Sequence, residues 1–403
     1  MIKVLHLTSS FSLSGGAEAD LSRLVSHMDP SRFSNTIVTM TEGVGYDLVR
    51  ERLAKSGVTV YSLGMRRGVA NPFAAVRLFQ IVRRIQPRIM QTWMYHADLL
   101  GLLAGKWEGV PSIAWNIQCS SLDSAGFSWM SRLVRRLLVS LSSFPDVVLA
   151  NSQSGLEFHR ALGYNPRSWL YMPNSLDLDS FRPDDEAGAW LRSLLLLPSR
   201  ARLIGLIGRL HPVKDHATFI KAAGLLASEN PDLHFVLVGK GVEERNGYIN
   251  GLLGATSAAD RFHLLGFRSD VNHITAGLDI ACCSSLSEGT PNVVTEAMAC
   301  GVLCVVTDVG DSSLILQELG RVVRPRDPEA FAQACRELLA IPRSQRRALG
   351  AAARARVEEC FSLPKSVARY ESLYERLALS EGLEADRLES FDNSQQIHRA
   401  RNS

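Results

Sequence analysis

Short apolar runs alternate with stretches of helical periodicity along the chain. In the first half the runs lie near 2–7, 35–40, 58–62, 89–92, 112–115, 146–150 and 168–172. In the second half they lie near 203–207, 234–238, 262–265, 278–283, 303–307 and 321–323. Runs this short, bounded by polar residues and glycine, suit buried strands better than helices. Between them, residues such as Leu21, Leu24 and Val25 recur at helical spacing. Strand–helix alternation repeated in both halves predicts two parallel, doubly wound sheets, an α/β architecture. At 403 residues the chain is long for one core, which agrees with two domains. The polar stretch Asn174–Asp185, with Pro173 and Pro183, is the natural linker. The expected organisation is a first domain over 1–175, a linker over 176–185 and a second domain over 186–360. Val367, Tyr370, Leu373, Tyr374 and Leu377 follow helical spacing, and the polar, aperiodic tail 381–403 is expected to be disordered.

In doubly wound sheets ligands bind outside the carboxyl ends of the strands, so the segments after the apolar runs hold the candidate chemistry. Leu278-Asp-Ile-Ala-Cys-Cys283 is followed by Ser287-Glu288-Gly289-Thr290-Pro291-Asn292 and then Glu296. Thr290 can cap a helix, and Pro291 suits its first position because a missing N–H is harmless there. Glu288 is then in the loop, and Asn292 and Glu296 share one helix face. A helix N-terminus suits a phosphate, and a carboxylate accepts from vicinal hydroxyls. That combination fits a ligand with hydroxyls at both ends and a pyrophosphate between them, such as a nucleotide-sugar. Upstream, the run 203–207 leads into Gly208-Arg209 and Lys214-Asp215. Arg209 supplies a planar fork and Lys214 a point charge, a sensible pair for a pyrophosphate, and Asp215 is a candidate cap for the next helix. Near the start, Gly15 and Gly16 follow the first run and would let the backbone approach a ligand closely.

Together these segments resemble the retaining glycosyltransferases of family 4, which have the GT-B fold of two Rossmann-like domains facing across a cleft. The resemblance also takes in Met94-Tyr-His96, Ala150-Asn151-Ser152, Pro173-Asn174, Val238-Gly-Lys-Gly241, Glu296-Ala-Met-Ala-Cys-Gly301 and Thr307-Asp-Val-Gly310. It implies that the first domain faces the acceptor and the second binds the donor. It further implies that Arg209 and Lys214 hold the donor pyrophosphate, Glu288 contacts donor-sugar hydroxyls and Glu296 the ribose diol. The donor site would comprise Gly15, Gly16, Arg209, Lys214, Glu288, Gly289, Thr290, Asn292 and Glu296, with Arg209, Lys214 and Glu288 closest to the chemistry. The last helix, about 361–380, would cross back to the first domain. The implied reaction moves a sugar from a nucleotide diphosphate-sugar to a hydroxyl of a glycan, most readily a lipid-linked one in polysaccharide or glycoconjugate assembly. The nucleotide-sugar is a substrate, and neither cofactor nor metal is expected. No carboxylate stands out as a nucleophile, so a double-displacement route has no sequence support. A GT-B epimerase and a non-catalytic nucleotide-sugar binder remain alternatives.

Two departures bear on that reading. Many relatives place a His after the strand equivalent to Ser112-Ile-Ala-Trp115, where this chain reads Trp115-Asn116-Ile-Gln118-Cys119. Asn116 or Gln118 can hydrogen-bond there but cannot act as a base. Relatives usually carry Gly after the linker Asn174, where this chain has Ser175, so the local turn is expected to differ.

Charge changes the picture less. Net charge is only +3, giving no general case for nucleic acid. Residues 1–180 carry 18 Lys/Arg against 13 Asp/Glu, a net +5, while the remainder carries 26 against 28, a net −2. Phe127, Trp129, Met130, Leu133, Val134, Leu137, Leu138 and Leu141 fall on one broad helical face accompanied by Arg132, Arg135 and Arg136. Arg66, Arg67, Arg77, Arg83, Arg84 and Arg88 surround Phe73, Val76, Phe79 and Val82. Basic amphipathic helices can lie on anionic membrane, so the expected location is cytoplasmic with a candidate peripheral contact to the inner membrane face. The seven cysteines lack metal spacing and are expected to be buried thiols. Gly239-Lys-Gly241 is half of a dinucleotide fingerprint with Glu244 in the third place, which argues against a dehydrogenase. Asp177 and Asp179 are expected in turn and cap roles, and lone His6 as a satisfied structural residue.

Overall fold

The computed structural model describes residues 1–12, 16–66, 71–118, 129–243 and 246–379, with the side chains of Trp129 and Met130 left aside. Gly15, Arg67, Cys119, Phe127, Glu244 and the tail 381–403 lie outside these. The first sheet contains β1 (Ile2–Phe11), β2 (Phe33–Glu42), β3 (Thr59–Ser62), β4 (Ile89–Trp93), β5 (Ser112–Ile117), β6 (Val147–Ala150) and β7 (Trp169–Tyr171). The second contains β8 (Arg202–Ile207), β9 (Leu233–Val238), β10 (Phe262–Leu264), β11 (Ile280–Cys283), β12 (Leu303–Thr307) and β13 (Arg321–Val323). Each expected run forms one of these strands. The first extends four residues further, to Phe11, because β2 runs alongside it as far as Glu42.

The strand orders are β3-β2-β1-β4-β5-β6-β7 and β10-β9-β8-β11-β12-β13, and every pairing is parallel. Both sheets therefore reverse direction of growth between their first and fourth strands. The central strands are buried along their lengths, as a sheet covered by helices on both faces requires. Each Val, Leu or Ile so enclosed contributes about 1.5–3 kcal/mol by leaving water.

The chain crosses between the sheets twice, side by side. Leu176 N–H donates to Phe361 O (2.8 Å) and Leu363 N–H to Leu176 O (3.1 Å). The final helix, Leu363–Leu379, then packs on the first domain, burying Tyr370, Leu373, Tyr374 and Leu377 beside β1 and β4. Tyr374 OH donates to Gln91 Oε1 of β4 (2.5 Å), and Tyr370 OH accepts from Asn116 Nδ2 (3.0 Å). His6 is indeed structural. It is buried, meets Asn35 Oδ1 at 3.2 Å and accepts from Trp93 Nε1 at 3.4 Å, and burial pushes it down to about 4, so it is neutral. Asp177 accepts from Asp179 N–H (3.0 Å) and Ser180 Oγ (2.7 Å), the turn role expected of it.

Candidate functional site

The switch points of both sheets face one cleft. From the second domain, β8 ends at Ile207 and the chain passes Gly208 to enter a tight turn, Pro212–Lys214, capped by His211. Asp215 follows in the left-handed region (φ 44°) and caps helix His216–Glu229, accepting from Thr218 N–H (3.3 Å) and Thr218 Oγ1 (2.6 Å). Ser284, just past β11, donates to Lys214 O and Asp215 O (2.9 and 3.0 Å), so the turn is fixed from the neighbouring strand. Gly208 has no side chain, and the Lys214 stem lies across it, 3.7–3.9 Å from where a Cβ would stand. Gly239 lets the end of β9 approach equally closely. Its φ is 151°, and a Cβ there would sit 2.1 Å from Gly208 O and 2.8 Å from Arg209 N. The half-fingerprint Gly239-Lys-Gly241 thus has a packing purpose.

Lys214 Nζ reaches Glu288 Oε1 at 2.5 Å, and Ser285 Oγ donates to the same oxygen at 2.6 Å. Both partners are largely enclosed, with 24% and 13% of their side chains accessible. Burial alone would lower the ammonium's pKa, but Glu288 outweighs it and shifts Lys214 upward, so the amine stays charged. Arg209 is exposed, and among the described residues its guanidinium makes no ion pair or hydrogen bond.

The loop 288–291 leads into helix Asn292–Ala299. Here the structure corrects the expected start. Pro291 stands outside the helix as its N-cap residue (ψ 97°), and no side chain caps the first turn. Thr290 is not the cap. Its hydroxyl instead donates to Asn151 O of the first domain (2.5 Å), a tertiary acceptor that the local rule does not see. Gly289 lies against the same region, 3.3 Å from Ser152 Oγ and 3.4 Å from Asn151 Oδ1 at its missing Cβ.

Glu296 is only partly exposed, and among the described residues nothing hydrogen-bonds its carboxylate. Burial pushes its pKa up to about 7, against weaker downward pulls from Arg23 of the first domain and from Lys214. Arg23 is held by Ser175 O (3.1 Å) and lies 3.7 Å from Asp20. Ser175 does not take a positive φ; its N–H and hydroxyl both donate to Asp20 Oδ1 (2.8 and 2.6 Å), which is how the linker turn differs from a glycine turn.

From the first domain, Gly16 opens helix Gly16–His27, and its missing Cβ would be 3.6 Å from Asn292 Nδ2. Asn292 ends a line of side-chain amides crossing the cleft, a feature absent from the sequence reading. Asn116 donates to Tyr370 and Gln118 donates to Asn116 Oδ1 (3.3 Å). Asn151 donates to Gln118 Oε1 (3.1 Å) and Asn174 Oδ1 (3.2 Å), and Asn174 donates to Asn292 Oδ1 (3.0 Å). The only signal for it in the sequence is the spacing of Asn and Gln just after strand runs. Arg209, Lys214, Glu288, Gly289, Asn292, Glu296 and Gly16 thus surround one cleft, and Thr290 faces the first domain.

Away from the cleft, the first domain shows an apolar, basic face. Phe73 and Val76 of helix Pro72–Ile85 are 83% and 55% accessible, and Trp107 of helix Tyr95–Trp107 is 75% accessible. In helix Trp129–Leu141 the core side is Val134 and Leu138, while Leu133 and Leu137 are outward between exposed Arg132 and Arg136. Among the described residues no helix is long and apolar enough to cross a membrane, and no cluster of His, Cys, Asp and Glu could hold a metal ion.

This architecture has known counterparts. A model of the glycosyl transferase 4-like domain matches residues 15–175, and one of the glycosyl transferases group 1 matches residues 201–340. The chain is 25% identical over 270 residues to the UDP-Gal:alpha-D-GlcNAc-diphosphoundecaprenol alpha-1,3-galactosyltransferase of Escherichia coli, covering 64% of this chain and 68% of that one. It is 25% identical over 278 residues to the N,N'-diacetylbacillosaminyl-diphospho-undecaprenol alpha-1,3-N-acetylgalactosaminyltransferase of Campylobacter jejuni, covering 66% and 72%. Among solved structures, Anabaena Alr3699/HepE in complex with UDP superposes with a TM-score of 0.79 at 20% identity, over 93% of this chain and all of that one. The two matched models, one on each sheet, and the two Rossmann-like domains facing across a cleft place this chain in the family-4 type of glycosyltransferases with the GT-B fold.

Proposed function

We propose that the protein transfers a sugar, with retention of anomeric configuration, from a nucleotide diphosphate-sugar to a hydroxyl of a lipid-linked glycan. The observation that carries this is the enclosed Lys214–Glu288 pair at 2.5 Å beside the exposed Arg209 and the uncapped start of helix Asn292–Ala299. Two cations and free N–H groups suit a diphosphate, and they stabilise most where charge grows as the bond to the anomeric carbon breaks. Glu288, oriented by Lys214 and Ser285, is placed to meet sugar hydroxyls. Glu296 takes the ribose diol. Gln118 occupies the region where relatives carry a His, and its amide orients rather than exchanges protons. The lipid diphosphate acceptors of the two relatives support a lipid-linked acceptor here, and UDP-sugars are the first donors to try. A thermal-shift screen against nucleotide-sugars tests the donor, because a ligand of the folded state raises stability by mass action. Turnover of the stabilising donor against undecaprenyl-diphosphate glycans tests the reaction, and a donor consumed without any acceptor would instead indicate epimerase chemistry.

Glu296 gives this reading a pH signature. With its pKa raised to about 7, it is partly protonated at neutral pH, and only the carboxylate accepts from both ribose hydroxyls. Donor affinity should rise as pH increases through about 7 and level off above, with proton release on binding near neutrality. Glu296→Gln should flatten that profile. Glu296→Ala should weaken binding roughly ten- to hundredfold, the value of a charged hydrogen bond of about 1.5–3 kcal/mol. Calorimetry in buffers of different ionisation enthalpy reads both. A pH-independent affinity in the wild type would remove Glu296 from the donor site.

We also propose that the face bearing Phe73, Trp107, Leu133 and Leu137 rests on anionic membrane, which would bring the cleft to its lipid-linked acceptor. Each basic residue near such a surface adds about 1 kcal/mol. The triple variant Arg132→Glu, Arg136→Glu, Trp107→Ala should no longer sediment with phosphatidylglycerol vesicles, while donor binding persists. A wild-type protein that stays in the supernatant with those vesicles would refute the membrane contact.

A further inference from the structure

Besides the paired crossings at Leu176 and Leu363, the Thr290–Asn151 contact and the row of amides, the two domains are joined through Asp311, in the turn after β12. Its Oδ2 accepts from Gln153 N–H (2.7 Å) and its Oδ1 from Ser154 N–H (2.9 Å). These are the first two N–H groups of helix Gln153–Ala161, which no helix can satisfy internally. The third, on Gly155, goes to Ser152 Oγ of the same domain (3.0 Å). A carboxylate from the second domain therefore completes the cap of a first-domain helix, where the helix dipole also favours negative charge.

The same residue holds the donor loop. Asp311 N–H donates to Gly289 O (2.9 Å). Gly310, at φ 58°, packs so closely beneath that loop that a Cβ would lie 2.3 Å from Glu288 O and 2.5 Å from Gly289 O. Backbone segments 310–311 and 288–289 thus move together. Thr290 Oγ1 adds a second contact from this loop to the first domain, at Asn151 O next to Ser152.

We propose that Asp311 is a positioning residue, a latch that holds the cleft closed and fixes the Glu288–Gly289 loop against the first domain. The contact is suited to reversal. On opening, water satisfies both N–H groups and the carboxylate, so the net gain from closure is modest. Burial of the carboxylate also works against it, partly offset by the two N–H donors. The donor part of this inference rests on the function proposed above; the closure part does not.

Small-angle scattering of the ligand-free, full-length protein tests closure. Asp311→Ala removes the latch from one side. Gln153→Pro removes one of its two hydrogen bonds from the other, leaving that of Ser154 N–H, while keeping the helix, because proline suits the first helical position and Ser152 is already extended (φ −141°, ψ 147°). Both variants should show a larger radius of gyration, with the closed-to-open ratio falling about tenfold, and Asp311→Asn should recover part of it. Should Asp311→Ala not fold, Gln153→Pro decides alone. Scattering curves of the folded variants that superimpose on the wild type would overturn the latch. In donor titrations with UDP-glucose and UDP-galactose, both variants should bind more weakly, Asp311→Ala by the larger factor. A wild type that binds neither sugar nucleotide, while both variants still open, would retire the donor role and leave the latch standing.

Discussion

Lys214→Ala is expected to reduce single-turnover sugar transfer at saturating donor by roughly 10²–10³, the cost of removing one preorganised stabiliser of developing charge. Contacts that strengthen as the diphosphate leaves act on the rate, whereas contacts equal in both states only tighten binding. The structure adds a stability effect. Glu288 would keep Ser285 but lose the cation that balances its largely enclosed carboxylate. Removing one member of an enclosed ion pair costs stability, so the melting temperature should fall as well. Glu288→Gln in the same background should restore the melting temperature, because it removes that charge, without restoring transfer. Arg209→Lys should also be slower, since it keeps the charge and loses the fork. Transfer by Lys214→Ala at the wild-type rate would reduce the turn to a surface feature.

The second large effect is expected at a residue with no chemistry of its own. Gly239→Ala places a methyl 2.1 Å from Gly208 O and demands φ 151° of an L-residue. Backbone strain and overpacking each cost about 1–3 kcal/mol, so a loss of about 2–6 kcal/mol is expected. The clash falls on the peptide that aims Arg209, so donor affinity should drop even in molecules that remain folded. Urea unfolding and donor titration measure the two parts. Gly247→Ala is the control, because nothing lies within 4 Å of its Cβ position. Equal stability of Gly239→Ala and wild type would show that the end of β9 can move away.

Whatever is decided within a few residues could be read from the sequence. The strands are buried on both faces and so appear as unbroken apolar runs, as at Val147–Ala150 and Leu303–Thr307. Asp215 could be read as a cap because its partner, Thr218, is three residues away. Arg209, Lys214 and Glu288 could be singled out as candidates because each follows such a run. The contacts between domains could not. Asp311 meets Gln153 across 158 positions, and Asn174 meets Asn292 across 118, with no local pattern to mark either. Thr290 shows how a short-range rule fails: a hydroxyl well placed to cap is drawn to a stronger tertiary acceptor.

The row of amides between Tyr370 and Asn292 also has a polarity. Asn151 Nδ2 donates both ways, so Asn174 must turn its carbonyl toward Asn151 and its amino group toward Asn292. Asn292 then spends its carbonyl on Asn174 and is left with N–H groups directed toward Gly16. A side chain of mixed character becomes a pure donor beside Gly16, on the side of the cleft where the diphosphate is proposed to lie. The orientation is set two amides away, at Asn151, which donates outward to both neighbours, and Gln118 beside it accepts in a place where an imidazole could have changed with every proton gained or lost. Built from amides, the row keeps this arrangement at any physiological pH.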